Sequence, residues 1–139
     1  MTLYFHLRVV GALLAVLGVS HAFFDRYFGW RRELRAVSLL TRQMFFVHAF
    51  FIALGVAMAG IGSFVYAAAL LEPGALSRGI LAAMALFWLC RLLVQFFGYD
   101  RAIWRGDRFR TCMQVVFGLL WTYVTATYGS ALASVCARP

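Results

Sequence analysis

Met44 to Leu71 reads MFFVHAFFIALGVAMAGIGSFVYAAALL, a run of 28 residues without Asp, Glu, Lys or Arg. A helix of about 20 apolar residues crosses the roughly 30 Å of hydrocarbon in a bilayer, so this run predicts a membrane span. Three more stretches have the same character: Leu3–Phe24, Gly79–Gly98 and Cys112–Ala133. Backbone polar groups inside lipid must be satisfied within the segment, which restricts such spans to helices or closed barrels, and runs this long and uniformly apolar select helices. The expected fold is an all-α integral membrane protein, a four-transmembrane-helix bundle forming one domain over residues 1–139.

The composition agrees. Of 139 residues 64% are hydrophobic and mean hydropathy is +0.84, which leaves no stretch for a second, soluble domain. The formal net charge is +8, and all thirteen basic residues are arginine. The arginines lie beside apolar spans, and no nucleic-acid-binding motif accompanies them. Anionic lipid headgroups are therefore the expected partner, and nucleic acid is not.

Arginine placement predicts orientation. Residues 25–42, between the first two spans, hold Arg26, Arg31, Arg32, Arg35 and Arg42, and residues 99–111, between the last two, hold Arg101, Arg105, Arg108 and Arg110. The other side has Arg8, Arg78 and Arg138. The positive-inside bias puts both arginine-rich loops in the cytoplasm and both termini outside, in the cell's inner (plasma) membrane. The same bias opposes cleavage of the first span as a signal peptide at Ser20-His21-Ala22, since export would carry five arginines outward. Tyr27, Phe28, Trp30, Tyr99 and Trp104 read as an interfacial belt, and Trp30–Leu40 as a short surface helix. Pro73 is expected to end the second span, making the second and third spans antiparallel neighbours.

Small residues predict the packing faces: Gly11, Ala15 and Gly18 on the first span, and Gly55, Ala59, Gly62 and Ser63 on the second. On the fourth, Gln114, Gly118, Trp121, Thr122 and Thr125 read as a packing stripe. Cys90, Cys112 and Cys136 form no CxxC pair and read as packing residues.

The polar residues within the spans carry the functional expectation. Arg91 lies about 10–13 Å inside the cytoplasmic edge by helical rise, and a guanidinium at a helix centre costs about 2.5–3.5 kcal/mol to insert. No span contains an acid to compensate it. Its remaining partners are Asp25 or Asp100 at the boundaries, helix-end carbonyls, water, or the anionic group of a ligand. Gln95 and Trp88 share its helix face. His21 and His48 lie about 6–9 Å inside the same edge on consecutive helices, where they could face each other.

Three ligand readings follow. An amphipathic anionic molecule, lipid or quinone-like, would place its head on Arg91, Gln95, His21, His48 and Trp88, and its tail among Phe45, Phe46, Phe50, Phe96 and Phe97. Haem b would use one or both of His21 and His48 as axial ligands with Arg91 on a propionate, although adjacent helices pack about 8–10 Å apart, which is tight for a porphyrin. A zinc site from both histidines and Asp25 lacks the HExxH pattern, and no resident metal is expected. The signatures of known small four-helix families are missing: the first span has no glutamate of the multidrug-transporter kind, and Met44–Leu71 has neither Asn nor Glu. No nucleophile and base pair up, since Ser20 beside His21 is only a sequence neighbour.

The leading expectation is a non-enzymatic membrane subunit or small homo-oligomer that binds an amphipathic anionic ligand near the cytoplasmic leaflet. The alternatives are a haem b- or quinone-linked redox subunit, and a pure assembly partner of a larger membrane complex.

Overall fold

The computed structural model describes residues 2–100 and 108–138. Its elements are α1 (Thr2–Phe28), α2 (Trp30–Glu33), a 3-10 turn (Leu34–Ala36), α3 (Leu39–Val65), α4 (Ala67–Leu70), α5 (Ala75–Phe97) and α6 (Arg108–Cys136), with no strand among the described residues. α1, α3, α5 and α6 are long and apolar enough to cross a membrane, as the four apolar runs predict. The expected surface positions Arg101, Trp104 and Arg105 lie outside the described residues.

Each long helix extends beyond its apolar run. α3 begins at Leu39 rather than Met44, because Ser38 caps it: the Ser38 Oγ accepts from the Thr41 N–H at 3.2 Å. Hydropathy ends at the first polar residue, whereas a helix continues through the headgroup layer until a cap stops it. The expected single helix through Leu71 is interrupted. α3 stops at Val65, the Tyr66 N–H closes its last turn on the Gly62 carbonyl at 2.9 Å, and α4 carries the chain on to Leu70. Pro73 therefore falls in the turn after α4 and does not itself end α3. The expected Trp30–Leu40 surface helix is shorter: one turn of α2, then the 3-10 turn, with Leu39 and Leu40 already in α3.

The chain forms two compact units. In the Leu7–Ala67 unit, α1 buries Leu7, Val10, Gly11, Leu14 and Gly18, a stripe recurring every three or four residues. The stripe lets the α3 backbone touch that of α1. A Cβ on Gly11 would lie 2.5 Å from the Phe64 nitrogen, and one on Gly18 2.6 Å from the Ala57 nitrogen. A Cβ on Gly60 would collide with the Ala15 nitrogen. Lipid tails solvate apolar side chains as well as another helix does, so close backbone approach supplies much of the association energy. The expected α1 face is therefore the packing face, while of the expected α3 stripe Ser63 is buried and the glycines are not at the contact. Gly55 and Gly62 have nothing within 4 Å of an added Cβ, and the contact runs through Ala57, Gly60 and Phe64.

An elbow joins α1 to α2. Gly29 takes the left-handed conformation, φ 66° and ψ 29°, which glycine adopts without steric cost. Asp25 accepts from the Arg31 Nε at 2.6 Å and from its backbone N–H at 3.3 Å. Trp30 stacks on Phe28 at 5.9 Å and meets Phe45 edge-on at 5.0 Å.

The second unit comprises Met1–His6 and Ala68–Pro139. Here α5 packs against α6. α5 buries Leu81, Trp88 and Gln95, spaced seven apart, and α6 buries Gly118, Trp121, Val124, Thr127, Tyr128, Ala131 and Val135. Seven-residue spacing keeps one face of a helix on its neighbour along the whole contact. The Ser77 hydroxyl closes the turn before α5 by donating to the Ala69 carbonyl at 3.1 Å. The three cysteines are free and exposed, so the expectation that they pack between helices is not met.

Candidate functional site

On α5, Trp88 and Gln95 point into the contact with α6, and Arg91 lies between them. The Arg91 Nη1 donates to the Gln95 Oε1 at 3.1 Å, the i to i+4 pairing that the sequence predicts. Its Cζ stands 4.8 Å from the centroid of the Trp121 ring. Trp121 stacks on Trp88 with centroids 5.2 Å apart and planes 11° from parallel, and Phe117 stacks on Trp121 at 6.0 Å. One level toward the loop, Gln95 meets Gln114. The Gln95 Nε2 donates to the Gln114 Oε1, and the Gln114 Nε2 donates to the Gln95 backbone carbonyl at 2.9 Å.

Magnitudes decide what this arrangement does for Arg91. A partly desolvated cation–π contact contributes about 0.5–2 kcal/mol, and an interhelical or intrahelical hydrogen bond in a membrane roughly 0.6–1.7 kcal/mol. Together they offset much of the insertion cost of about 2.5–3.5 kcal/mol. Arg91 is thus held without a carboxylate, and among the described residues none lies within 4.0 Å of it. Asp25, one of the two boundary acids considered for that role, is taken by Arg31.

The arrangement leaves donors unused. A guanidinium carries five N–H groups, and among the described residues Gln95 takes one of Arg91's. The indole nitrogens of Trp88 and Trp121 have no acceptor, although the two residues are 2% and 4% exposed. A buried N–H without a partner costs about 1–3 kcal/mol. The Thr125 hydroxyl, one turn beyond Trp121 on α6, is likewise buried and unpartnered.

His21 and His48 lie in the other unit. The His21 Nδ1 donates to the Leu17 carbonyl at 2.7 Å, which the Ser20 hydroxyl also reaches, and the His48 Nδ1 donates to the Met44 carbonyl at 2.7 Å. A carbonyl only accepts, so Nδ1 carries a proton in both rings. The two rings do not share a level. Gly18 against Ala57 and Gly11 against Phe64 put His21 opposite about residue 54, and His48 opposite about residue 27. That separates them by about 9 Å along the helix axis. His48 is also exposed. Among the described residues no three His, Cys, Asp or Glu side chains gather as a metal would require.

His6 bonds the Tyr123 hydroxyl through Nδ1 at 2.7 Å. Sequence reasoning assigned Gln114 and Trp121 to packing. The signal that marks those two is their spacing of seven on α6, matching Trp88 and Gln95 on α5.

Compared with known proteins, this chain matches no family model, no curated protein and no solved structure.

Proposed function

We propose that the chain is a non-enzymatic, multi-pass subunit of the inner membrane that holds an amphipathic anionic molecule, lipid or quinone-like, at Arg91. Both termini face outward and the arginine-rich loops face the cytoplasm, so Arg91 sits toward the cytoplasmic leaflet. The observation that carries this reading is a membrane arginine supported by an amide and an indole rather than by an acid, beside two buried indole N–H groups without acceptors. Gln95 and Trp88 belong to the head-group site as the sequence suggested, and Gln114 and Trp121 join them. The reading rests on the α5–α6 unit alone, and His21 and His48 play no part in it.

The test is a native mass spectrum and an absorption spectrum of gently purified protein, unmodified and Arg91→Leu. The unmodified protein should carry an acyl-chain ligand that the variant loses at unchanged helical content. Equal ligand on both proteins would remove Arg91 from binding. A Soret band would replace this reading with a haem one centred on the histidines.

A further inference from the structure

The hydrogen-bond network around Arg91 has a fixed polarity. The Gln95 backbone carbonyl can only accept, so the Gln114 group facing it must be the NH₂. The Gln114 Oε1 is then the acceptor for the Gln95 Nε2, and the Gln95 Oε1 is left to face Arg91. A single main-chain oxygen thereby sets both side-chain amides. Each amide nitrogen has an acceptor, and the oxygens of both amides are already engaged. What remains unused is donor capacity: the other guanidinium N–H groups of Arg91 and the indole N–H groups of Trp88 and Trp121, the two stacked rings beside it. Among the described residues with a buried, unpartnered polar atom, Thr125 alone can both donate and accept.

From this polarity we infer that the site selects a singly charged oxyanion on an acyl chain and rejects heads that bring a cation or their own donors. The inference rests on the proposed function and narrows it. A phosphodiester or a carboxylate has acceptor oxygens and one negative charge, which matches one guanidinium and several N–H groups. An ammonium or trimethylammonium head meets the positive Arg91, and a quinol hydroxyl meets donors with donors. Gln114 acts here as a positioning residue, because replacing its NH₂ by an oxygen sets an acceptor against the Gln95 carbonyl and brings a negative charge close to Arg91.

The experiment uses the full chain in maltoside micelles in a W30F/W104F background, so that emission comes from Trp88 and Trp121. Acyl-brominated phosphatidylglycerol and acyl-brominated phosphatidylcholine are titrated in as quenchers. A charge-assisted hydrogen bond is worth about tenfold in affinity. Half-quenching by phosphatidylglycerol is therefore expected at about a tenfold lower mole fraction than by phosphatidylcholine. Gln114→Glu should bring that ratio near one while elution and circular dichroism stay unchanged.

Equal quenching by the two lipids in the unmodified protein would overturn the inference, and that comparison stands even if the variant does not fold. If Arg91→Leu abolishes binding but Gln114→Glu leaves the preference intact, the Arg91 site stands and its selection by polarity falls. If Arg91→Leu changes nothing, both fall. Displacement of phosphatidylglycerol by a fatty acid would extend the site to carboxylates, and failure to displace would confine it to phosphodiesters, either result supporting an oxyanion. Equally effective displacement by decylubiquinone would show that a neutral acceptor suffices and would overturn the requirement for charge.

Discussion

Trp88 and Trp121 stack across the α5–α6 contact with centroids 5.2 Å apart, and the guanidinium of Arg91 stands over the same Trp121 ring, 4.8 Å from its centroid. The two indoles therefore both join the helices and support the membrane charge. Offset aromatic pairs contribute about 0.5–1.5 kcal/mol beyond the area they bury. Trp88→Ala and Trp121→Ala should each destabilise the protein by about 3 kcal/mol, with a coupling of about 1 kcal/mol in the double variant. Reversible denaturation in mixed micelles measures both quantities, and strict additivity would deny the stack any energetic role.

The α1–α3 contact separates two glycines that look alike in the sequence. Gly60→Ala places a methyl on the Ala15 nitrogen and should cost about 1–3 kcal/mol. Gly55→Ala meets nothing within 4 Å and should change stability by less than about 0.5 kcal/mol. The same denaturation assay checks the pair, and equal effects would mean that the helices do not meet at Gly60. Gly55→Leu would then report on assembly alone, since the position is open within the chain. A shift in oligomeric mass on native electrophoresis would identify the exposed α3 face as a subunit contact.

At the elbow, Gly29→Ala forces a Cβ into the left-handed region and should lower stability by about 1–2 kcal/mol. A thermal melt measures it, and an unchanged midpoint would show that the elbow relaxes to another turn without penalty.

The exposed cysteines give a direct test of orientation. The proposed topology, with both termini outside, puts Cys136 at the outer end of α6 and Cys112 near its cytoplasmic end. In single-cysteine variants, a membrane-impermeant maleimide should label Cys136 in intact cells and Cys112 only after permeabilisation. The reverse pattern would invert the topology.

Four spans were legible in the sequence because lipid imposes a length and a polarity that no other environment does. Their ends were not, since Ser38 extends α3 through a cap that hydropathy cannot see. The pairing of Arg91 with Gln95 was legible from i to i+4 spacing. Its support by Trp121 and Gln114 required knowing that α5 and α6 pack antiparallel, which brings residues seven apart on one helix to residues seven apart on the other. Small residues identified the α1 face, but on α3 they identified Ser63 and missed Gly60. Glycine spacing marks several stripes on one helix, and only the partner's backbone selects among them. The proposed meeting of His21 and His48 used depth alone, and the glycine contacts, which fix how the helices align, set the two rings apart.

The length of α5 has a mechanical consequence. Its 23 residues rise about 34 Å, against a hydrocarbon thickness of roughly 30 Å. The excess of about 4 Å is what a tilt of roughly 28° takes up. Arg91 lies six residues from the end of α5, so its depth follows bilayer thickness wherever tilt does not absorb the change. Thinning the membrane brings its guanidinium up to the headgroups, and thickening it draws the charge down into the acyl region. Under the proposed function, local lipid chain length thus becomes a dial on how strongly this arginine seeks an anion.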